Sequence, residues 1–336
     1  MDSVFGFFPE VIMVPYVIGV DIGGTMIKGG LFDAQGTLCS KFAVPTGQEA
    51  EHQGVLHSLL SLIRHLASEL AYVPPVGIGI AGVLDPNRTT LLESPNLKRL
   101  SGLKLADLTC AELSVPVFLE NDANCAALGE LWAGSGKKLD NFLLYTIGTG
   151  IGGGLILNRK LWIGEQGKAG EFGHMIVNPE GAGCACGKQG CLEAEASGSA
   201  IIRRAREAVL AGTIPSLQEY GSQPSATITP EQVYHAAAHG DVVCLQILRS
   251  CADYLAIAMS NVNSFLDIHH FIIGGGVAPA LQLVFDYLLD HTCDRVFSIS
   301  KEHITIQMAA LGNDAGIYGA GFLALQKTSS NARADT

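Results

Sequence analysis

Charge is scarce in this sequence, and basic charge most of all. Only 16 % of the 336 residues are Asp, Glu, Lys or Arg, and 32 acids against 21 bases leave a formal net charge of −11. A nucleic-acid-binding surface needs a concentrated basic patch, so no nucleic-acid partner is expected. An anionic nucleotide is not excluded, because backbone N–H groups and magnesium can hold phosphates without a positive field. Uninterrupted apolar runs of the roughly 20 residues that a membrane span requires are also missing, so no membrane partner is expected. The apolar stretch 4–20 lacks a basic flank and is broken by Pro9 and Pro15, which reads as an extension entering a first strand rather than a signal peptide. The cysteines are odd in number, nine, and three fall between positions 184 and 191. In a chain of this length that pattern favours metal binding in a reducing, cytoplasmic compartment over a disulfide framework.

Apolar residues, at 48 %, are plentiful enough for sizeable cores, and the length suggests two domains or two lobes. The 40 glycines cluster at the ends of apolar runs, where tight turns and close backbone approaches need them. Apolar patterning predicts strands over 16–21, 26–32, 38–44, 76–80, 116–119, 141–146, 154–157 and 271–273. Helices are expected over 54–69, 123–132, 230–239, 242–262, 281–290 and from about 314, with a loop over 211–230. The alternation gives an α/β class with mostly buried sheets. A strand, a Gly/Thr turn, a second strand and a hairpin occur twice, starting near 16 and 141. Such a duplication suits a two-lobed protein holding a nucleotide. The expected division is a small lobe over 1–120, joined by the C-terminal helix 314–336, and a large lobe over 121–313.

Asp21-Ile22-Gly23-Gly24-Thr25 lies between two strands, with Lys28 just beyond. Glycine lets backbone approach a phosphate, Thr25 can donate a hydrogen bond, and Asp21 can hold magnesium through water. The turn has neither the Lys-Ser/Thr ending of a Walker loop nor the helix of a dinucleotide fingerprint. Taken alone it also fits an ordinary hairpin. Gly148, Thr149 and Gly150, followed by Ile151 and three more glycines, form a second candidate phosphate cradle, since packing alone poorly explains so much glycine next to a strand. Asp122, after Glu120 and Asn121, sits at a strand end that opens a helix. It can be a general base or merely a helix cap. His174, Cys184, Cys186 and Cys191 supply one imidazole and three thiolates, the donor set of a closed structural zinc site. Gly274, Gly275 and Gly276 end a strand, where adenine or ribose could lie on bare backbone.

The Asp21 turn, Glu120-Asn121-Asp122-Ala123-Asn124, the Gly148 loop, Glu171-Phe172-Gly173-His174 and the cysteine cluster, in this order and spacing, resemble the ROK family of repressors and sugar kinases. The likeness runs over roughly 16–326. It implies the two-lobed actin-like ATPase (ribonuclease H-like) fold with duplicated βββαβα halves, and an ATP- and Mg2+-dependent sugar kinase with a structural zinc. It further implies Asp122 as the base and Asn96, Asn121, Asp122, Glu171, His174 and Glu193 as sugar ligands. Phosphates and adenosine then fall to Asp21, Gly23, Gly24, Thr25, Lys28, Gly148, Thr149, Gly150, Gly275 and Gly276. Glucose is the expected substrate, at its 6-hydroxyl, with N-acetylmannosamine or N-acetylglucosamine as the alternative and polyphosphate as another donor. Relatives often form homodimers. Family repressors carry a helix-turn-helix domain before the first phosphate turn, and the twenty residues ahead of Asp21 contain no Lys or Arg. A sugar-sensing regulator is therefore the weaker reading.

Overall fold

The computed structural model describes residues 15–47, 52–94, 97–217 and 228–334. Asn96, most of the N-terminal extension and positions 218–227 of the expected 211–230 loop lie outside the described residues. In chain order come β1 (Tyr16–Ile22), β2 (Met26–Asp33), β3 (Leu38–Pro45), α1 (His52–Leu66), β4 (Val76–Ile80), the hairpin β5 (Val83–Leu84) and β6 (Leu91–Glu93), α2 (Leu105–Leu113), β7 (Val117–Asn121) and α3 (Asp122–Ala133). Next are β8 (Phe142–Ile147), β9 (Ile151–Leu157), β10 (Lys160–Leu161), α4 (Leu192–Ala196), α5 (Gly198–Leu210), α6 (Pro230–Ala238) and α7 (Val242–Leu266). The chain closes with β11 (His270–Gly274), α8 (Ala278–Leu281), α9 (Phe285–Cys293), β12 (Thr305–Met308) and α10 (Ala315–Ala334).

Two compact units form, one from the chain up to Ala133 together with the chain from Asp314, the other from Gly134–Asn313. The first sheet has the order β3-β2-β1-β4-β7 and the second β10-β9-β8-β11-β12, so both follow the same third-second-first-fourth-fifth arrangement. In each, the first three strands form an antiparallel meander and the last two join in parallel.

In the first unit the strand period of two splits β1 between two faces. Ile18, Val20 and Ile22 join Leu59, Leu62, Ile63 and Leu66 of α1 in one core. Val17 faces Ile317 and Ala324 of α10 on the other side. α10 lies directly on the sheet backbone: a Cβ on Gly19 would fall 1.9 Å from the Ile317 carbonyl oxygen, and one on Gly77 1.8 Å from that of Ala320. α3 packs on α10 just as closely, since a Cβ on Gly319 would fall 1.6 Å from the Cys125 carbonyl oxygen. This backbone contact carries the first unit past the expected boundary at 120, to Ala133.

α7 is the central helix of the second unit, with Ile247, Leu248, Cys251, Leu255, Met259 and Val262 buried in its core. By length and composition it could cross a membrane, at a mean hydropathy of 1.5 over 18 residues, although Gln246, Arg249 and Asp253 interrupt its apolar sequence, and half of that window is buried. The glycine run also differs from expectation. β9 already begins at Ile151, and Gly152, Gly153 and Gly154 pair with Thr146, Tyr145 and Leu144. Only Gly148–Thr149–Gly150 is turn. Glycine is tolerated in this strand because Gly170 and Phe172 press against Gly153, 3.0 Å from where its Cβ would be. The helix expected over 281–290 is broken into α8, a 3-10 turn at Gln282–Val284 and α9.

Candidate active site

The predicted site residues fall into two groups, one on each unit. In the first, Asp21 lies near the end of β1, in register with Lys28 on β2. The turn between them is closed by the Gly23 amide donating to the Met26 carbonyl, 3.0 Å. Thr46, buried at the end of β3, braces it from the side. Its hydroxyl donates to the Gly23 carbonyl at 2.7 Å and its amide to that of Thr25 at 3.0 Å. Gly24 and Thr25 are left exposed at the tip.

β7 runs parallel beside β4 and ends at Asn121, where α3 begins. The Asn121 side-chain oxygen accepts from the amides of Ala123 at 2.9 Å and Asn124 at 3.2 Å, so Asn121 is the helix cap. Its side-chain NH2 donates to the Gly82 carbonyl, 3.3 Å. The capping that Asp122 could have done is thus done by its neighbour. Burial holds the Asp122 carboxyl above the usual carboxylate range, partly offset by the Ala123 amide and the Asn121 side chain. Burial likewise pushes Asp21 up to about 6, with the like charge of Asp122 adding to the rise and Lys28 opposing it.

Two features of this group were not anticipated. Arg88, in the left-handed region at φ 58°, places its guanidinium 2.9 Å from the buried Glu120 carboxylate. Glu120 also accepts from the Asn121 amide and the Asn124 side chain, each at 2.9 Å, so one carboxylate gathers the loop, the strand end and the helix start. The signal was the unexplained glutamate opening Glu-Asn-Asp. Gly316, at the start of α10, comes against Asp21, whose carboxylate would lie 3.1 Å from an added Cβ.

In the second unit, Gly148–Gly150 links β8 to β9. The Gly148 and Thr149 carbonyls accept from the Gly198 amide at 2.9 Å and the Ser199 hydroxyl at 2.9 Å, where α5 begins. Thr149 itself is exposed. Gly275, with φ +93°, makes room for the Ile147 backbone, 2.4 Å from its would-be Cβ, whereas Gly276 faces open space. Gly275 is thus explained first by this close approach.

The four proposed metal ligands converge, their donor atoms all within 4.8 Å of one another. His174 Nδ1 lies 3.6 Å from Cys184 Sγ, and the Cys186 and Cys191 sulfurs are 3.7 Å apart. Tetrahedral zinc with Zn–S of about 2.3 Å and Zn–N of about 2.0 Å requires ligand separations of roughly 3.5–3.8 Å, so the donor set fits a closed zinc centre. Burial and the neighbouring thiols push Cys191 up to about 12, whereas the Lys188 amide draws Cys186 down. Nδ1 points to the sulfurs and Nε2 faces the Glu171 carboxylate at 3.9 Å. Glu193, on α4, accepts from the Ile151 amide at 3.0 Å, with its other oxygen 4.0 Å from Cys184 Sγ.

A duplicated sheet order, with a glycine turn after the first strand of each sheet and a carboxylate at a strand end, defines the actin-like ATPase fold class. The chain belongs to the ROK family, whose sequence model matches residues 17–327. It is 33 % identical over 322 residues to a glucokinase of Halalkalibacterium halodurans, covering 94 % of this chain and 96 % of the relative. A Streptomyces coelicolor glucokinase is 36 % identical, over 91 % of this chain and 96 % of its own. The N-acetylmannosamine kinase of Yersinia pseudotuberculosis is 30 % identical, over 91 % and 97 %. Among solved structures, the ROK hexokinase of Thermus thermophilus superposes with a TM-score of 0.82 at 30 % identity, over 94 % of this chain and 99 % of that one. The Streptomyces griseus ROK glucokinase in complex with glucose and AMPPNP gives 0.77 at 36 % identity, over 93 % and 99 %.

Proposed function

We propose that this ATP:sugar phosphotransferase is a hexose kinase that transfers the γ-phosphoryl group of MgATP to the 6-hydroxyl of glucose in the cytoplasm. The observation that carries the reading is the division of labour at the start of α3. Asn121 caps the helix, and Asp122 is held beside Asp21 with a raised pKa. A sugar hydroxyl is a poor nucleophile, and a positioned carboxylate with a pKa raised toward neutrality is a better proton acceptor than an ordinary one. Asp122 takes the hydroxyl proton as the sugar oxygen forms its bond to the γ-phosphorus, and the bond to the bridging oxygen breaks with ADP keeping the electron pair. Asp21 would hold magnesium through water, and Gly24, Thr25, Thr149 and Gly150 would meet phosphate oxygens with backbone N–H groups, while Gly23 and Gly148, whose amides close their turns on Met26 and Gly150, would let the backbone come close. Gly276, which faces open space, suits adenosine.

Glu171, His174, Asn121 and Glu193 would bind sugar hydroxyls, which donate and accept in pairs. His174 keeps Nε2 for this, since Nδ1 faces the thiols. His174, Cys184, Cys186 and Cys191 would hold zinc as a structural ion. A closed four-ligand set leaves no position for water, so its contribution is to shape the pocket wall. Glucose is favoured over N-acetylmannosamine because glucokinases are the relatives of higher identity, at 33 % and 36 % against 30 %.

Asp122→Ala should lower kcat by about a hundredfold or more while glucose binding survives. Near-normal turnover removes the base assignment. An ADP-release assay over a sugar panel decides the substrate: a kcat/KM for N-acetylmannosamine above that for glucose overturns the glucose reading.

A further inference from the structure

The metal-ligand segment and the second glycine turn are usually separate concerns, one structural and one for nucleotide. In this chain they share backbone. The segment from Phe172 to Ser199 is pinned near both ends by ligands, His174 after a 3-10 turn and Cys191 at the entry to α4. Between those ligands it has little apolar anchorage, since Val177 is its only buried aliphatic side chain among the described residues. Gly183 and Gly187 face open space. Backbone hydrogen bonds, Leu192 to Met175, Val177 to Gly190 and Gly190 to Ala182, close it in place of an apolar core; an ion bound there adds to that hold, because binding free energy becomes folding free energy in such a site.

Both ends of this segment hold the loop 148–153. On one flank a Cβ on Gly173, next to His174, would fall 1.9 Å from the Ile151 carbonyl oxygen, and Phe172 presses on Gly153. On the other flank Glu193, two residues after Cys191, accepts the Ile151 amide at 3.0 Å. The same carboxylate fills the space a Cβ on Gly150 would take, 2.2 Å away. α4 ends at Ala196, and just beyond it Gly198 and Ser199 hydrogen-bond the Gly148 and Thr149 carbonyls. The five residues of α4 thus form a strut with a metal ligand at one end and the loop at the other.

We infer that the histidine–cysteine centre sets the position of the 148–153 loop through α4, and that Glu193 is the positioning residue linking metal to nucleotide phosphate. This goes beyond a sugar-ligand role for Glu193, and its nucleotide consequence rests on the reading that the loop holds phosphate. Zinc loss therefore weakens nucleotide binding even with no sugar present.

The test uses the full chain, zinc-loaded and after chelation. Amide hydrogen exchange read over 148–153 should quicken at least tenfold on chelation and in Glu193→Ala. Glu193→Gln, which keeps an oxygen acceptor for Ile151, should stay near the parent. Calorimetric titration with magnesium AMPPNP and no sugar should show Kd rising at least tenfold in the same two cases and less in Glu193→Gln. Unchanged exchange over the loop on chelation overturns the coupling. Unchanged nucleotide affinity in Glu193→Ala, with only sugar affinity lost, reduces Glu193 to a sugar ligand and overturns its positioning role. Gly148→Asp separates the two readings, because its side chain enters open space. If that variant binds nucleotide normally while loop exchange still follows the metal, the coupling stands and the phosphate-loop reading fails.

Discussion

The two glycine turns occupy the same address in two sheets of the same strand order, yet they are supported by different means. The first, at Gly23–Thr25, leans on its own sheet, with Thr46 at the end of β3 closing it through two short hydrogen bonds. The second, at Gly148–Gly150, has no equivalent third strand beside it, because β10 is only two residues long. Its support comes from far along the chain, through Glu193, Gly198 and Ser199. The comparison teaches that topology sets where a glycine turn can stand, while its rigidity comes from whatever sequence packs beside it.

The largest expected effect lies on the first unit. Arg88→Ala leaves the Glu120 carboxylate buried without its cation, which should cost about 3–5 kcal/mol in urea denaturation. A loss below about 1 kcal/mol would mean that the strand end carrying Asp122 is braced by something other than this pair. A smaller and directly comparative effect comes from the same substitution in both turns. Gly150→Ala drives a methyl into the Glu193 carboxylate, 2.2 Å away, and should cost about 1–3 kcal/mol. At Gly23 the nearest atom to a new Cβ is the Met26 carbonyl oxygen at 3.0 Å, so Gly23→Ala should cost less. Equal losses would erase the distinction between the two supports.

The smallest effect is electrostatic. Asp21 titrates near 6 when folded against 3.8 unperturbed, so its ionised form opposes folding, fully above pH 6 and not at all below pH 3.8. Without magnesium, Asp21→Asn should therefore stabilise the protein at pH 7 by an amount on the order of 1 kcal/mol after solvent screening, and the gain should vanish as pH falls toward 4. A stabilisation that grows on acidification contradicts the assigned direction.

Much of this was legible beforehand wherever a pattern was local. β4 was read to the residue because Val76–Ile80 is a short apolar run between a proline pair and a turn. The four candidate metal donors were visible as a cluster because three of them lie within eight positions, and the structure brings all four together. Regions dominated by distant contacts were not legible. α5 was missed because its buried residues are mostly small, Gly198, Ala200 and Ala205, among three arginines, and leave little apolar periodicity. The start of β9 was placed three residues late, because a run of glycines suggests a turn until Phe172 is known to press on it. The Arg88–Glu120 pair joins residues 32 positions apart and has no local signature.

The placement of α10 orders events during synthesis on the ribosome. Gly19 and Gly77 offer bare backbone to a helix that begins only at Ala315. Until those last residues emerge, the earliest-made sheet has one face uncovered, while the intervening unit, Gly134–Asn313, is a single continuous stretch able to condense by itself. The first unit to be translated is thus the last to be finished. A ribosome stalled before residue 315 would hold a chain whose Asp21 and Asp122 stand on an incomplete domain, and whose first sheet needs protection from its neighbours on the polysome.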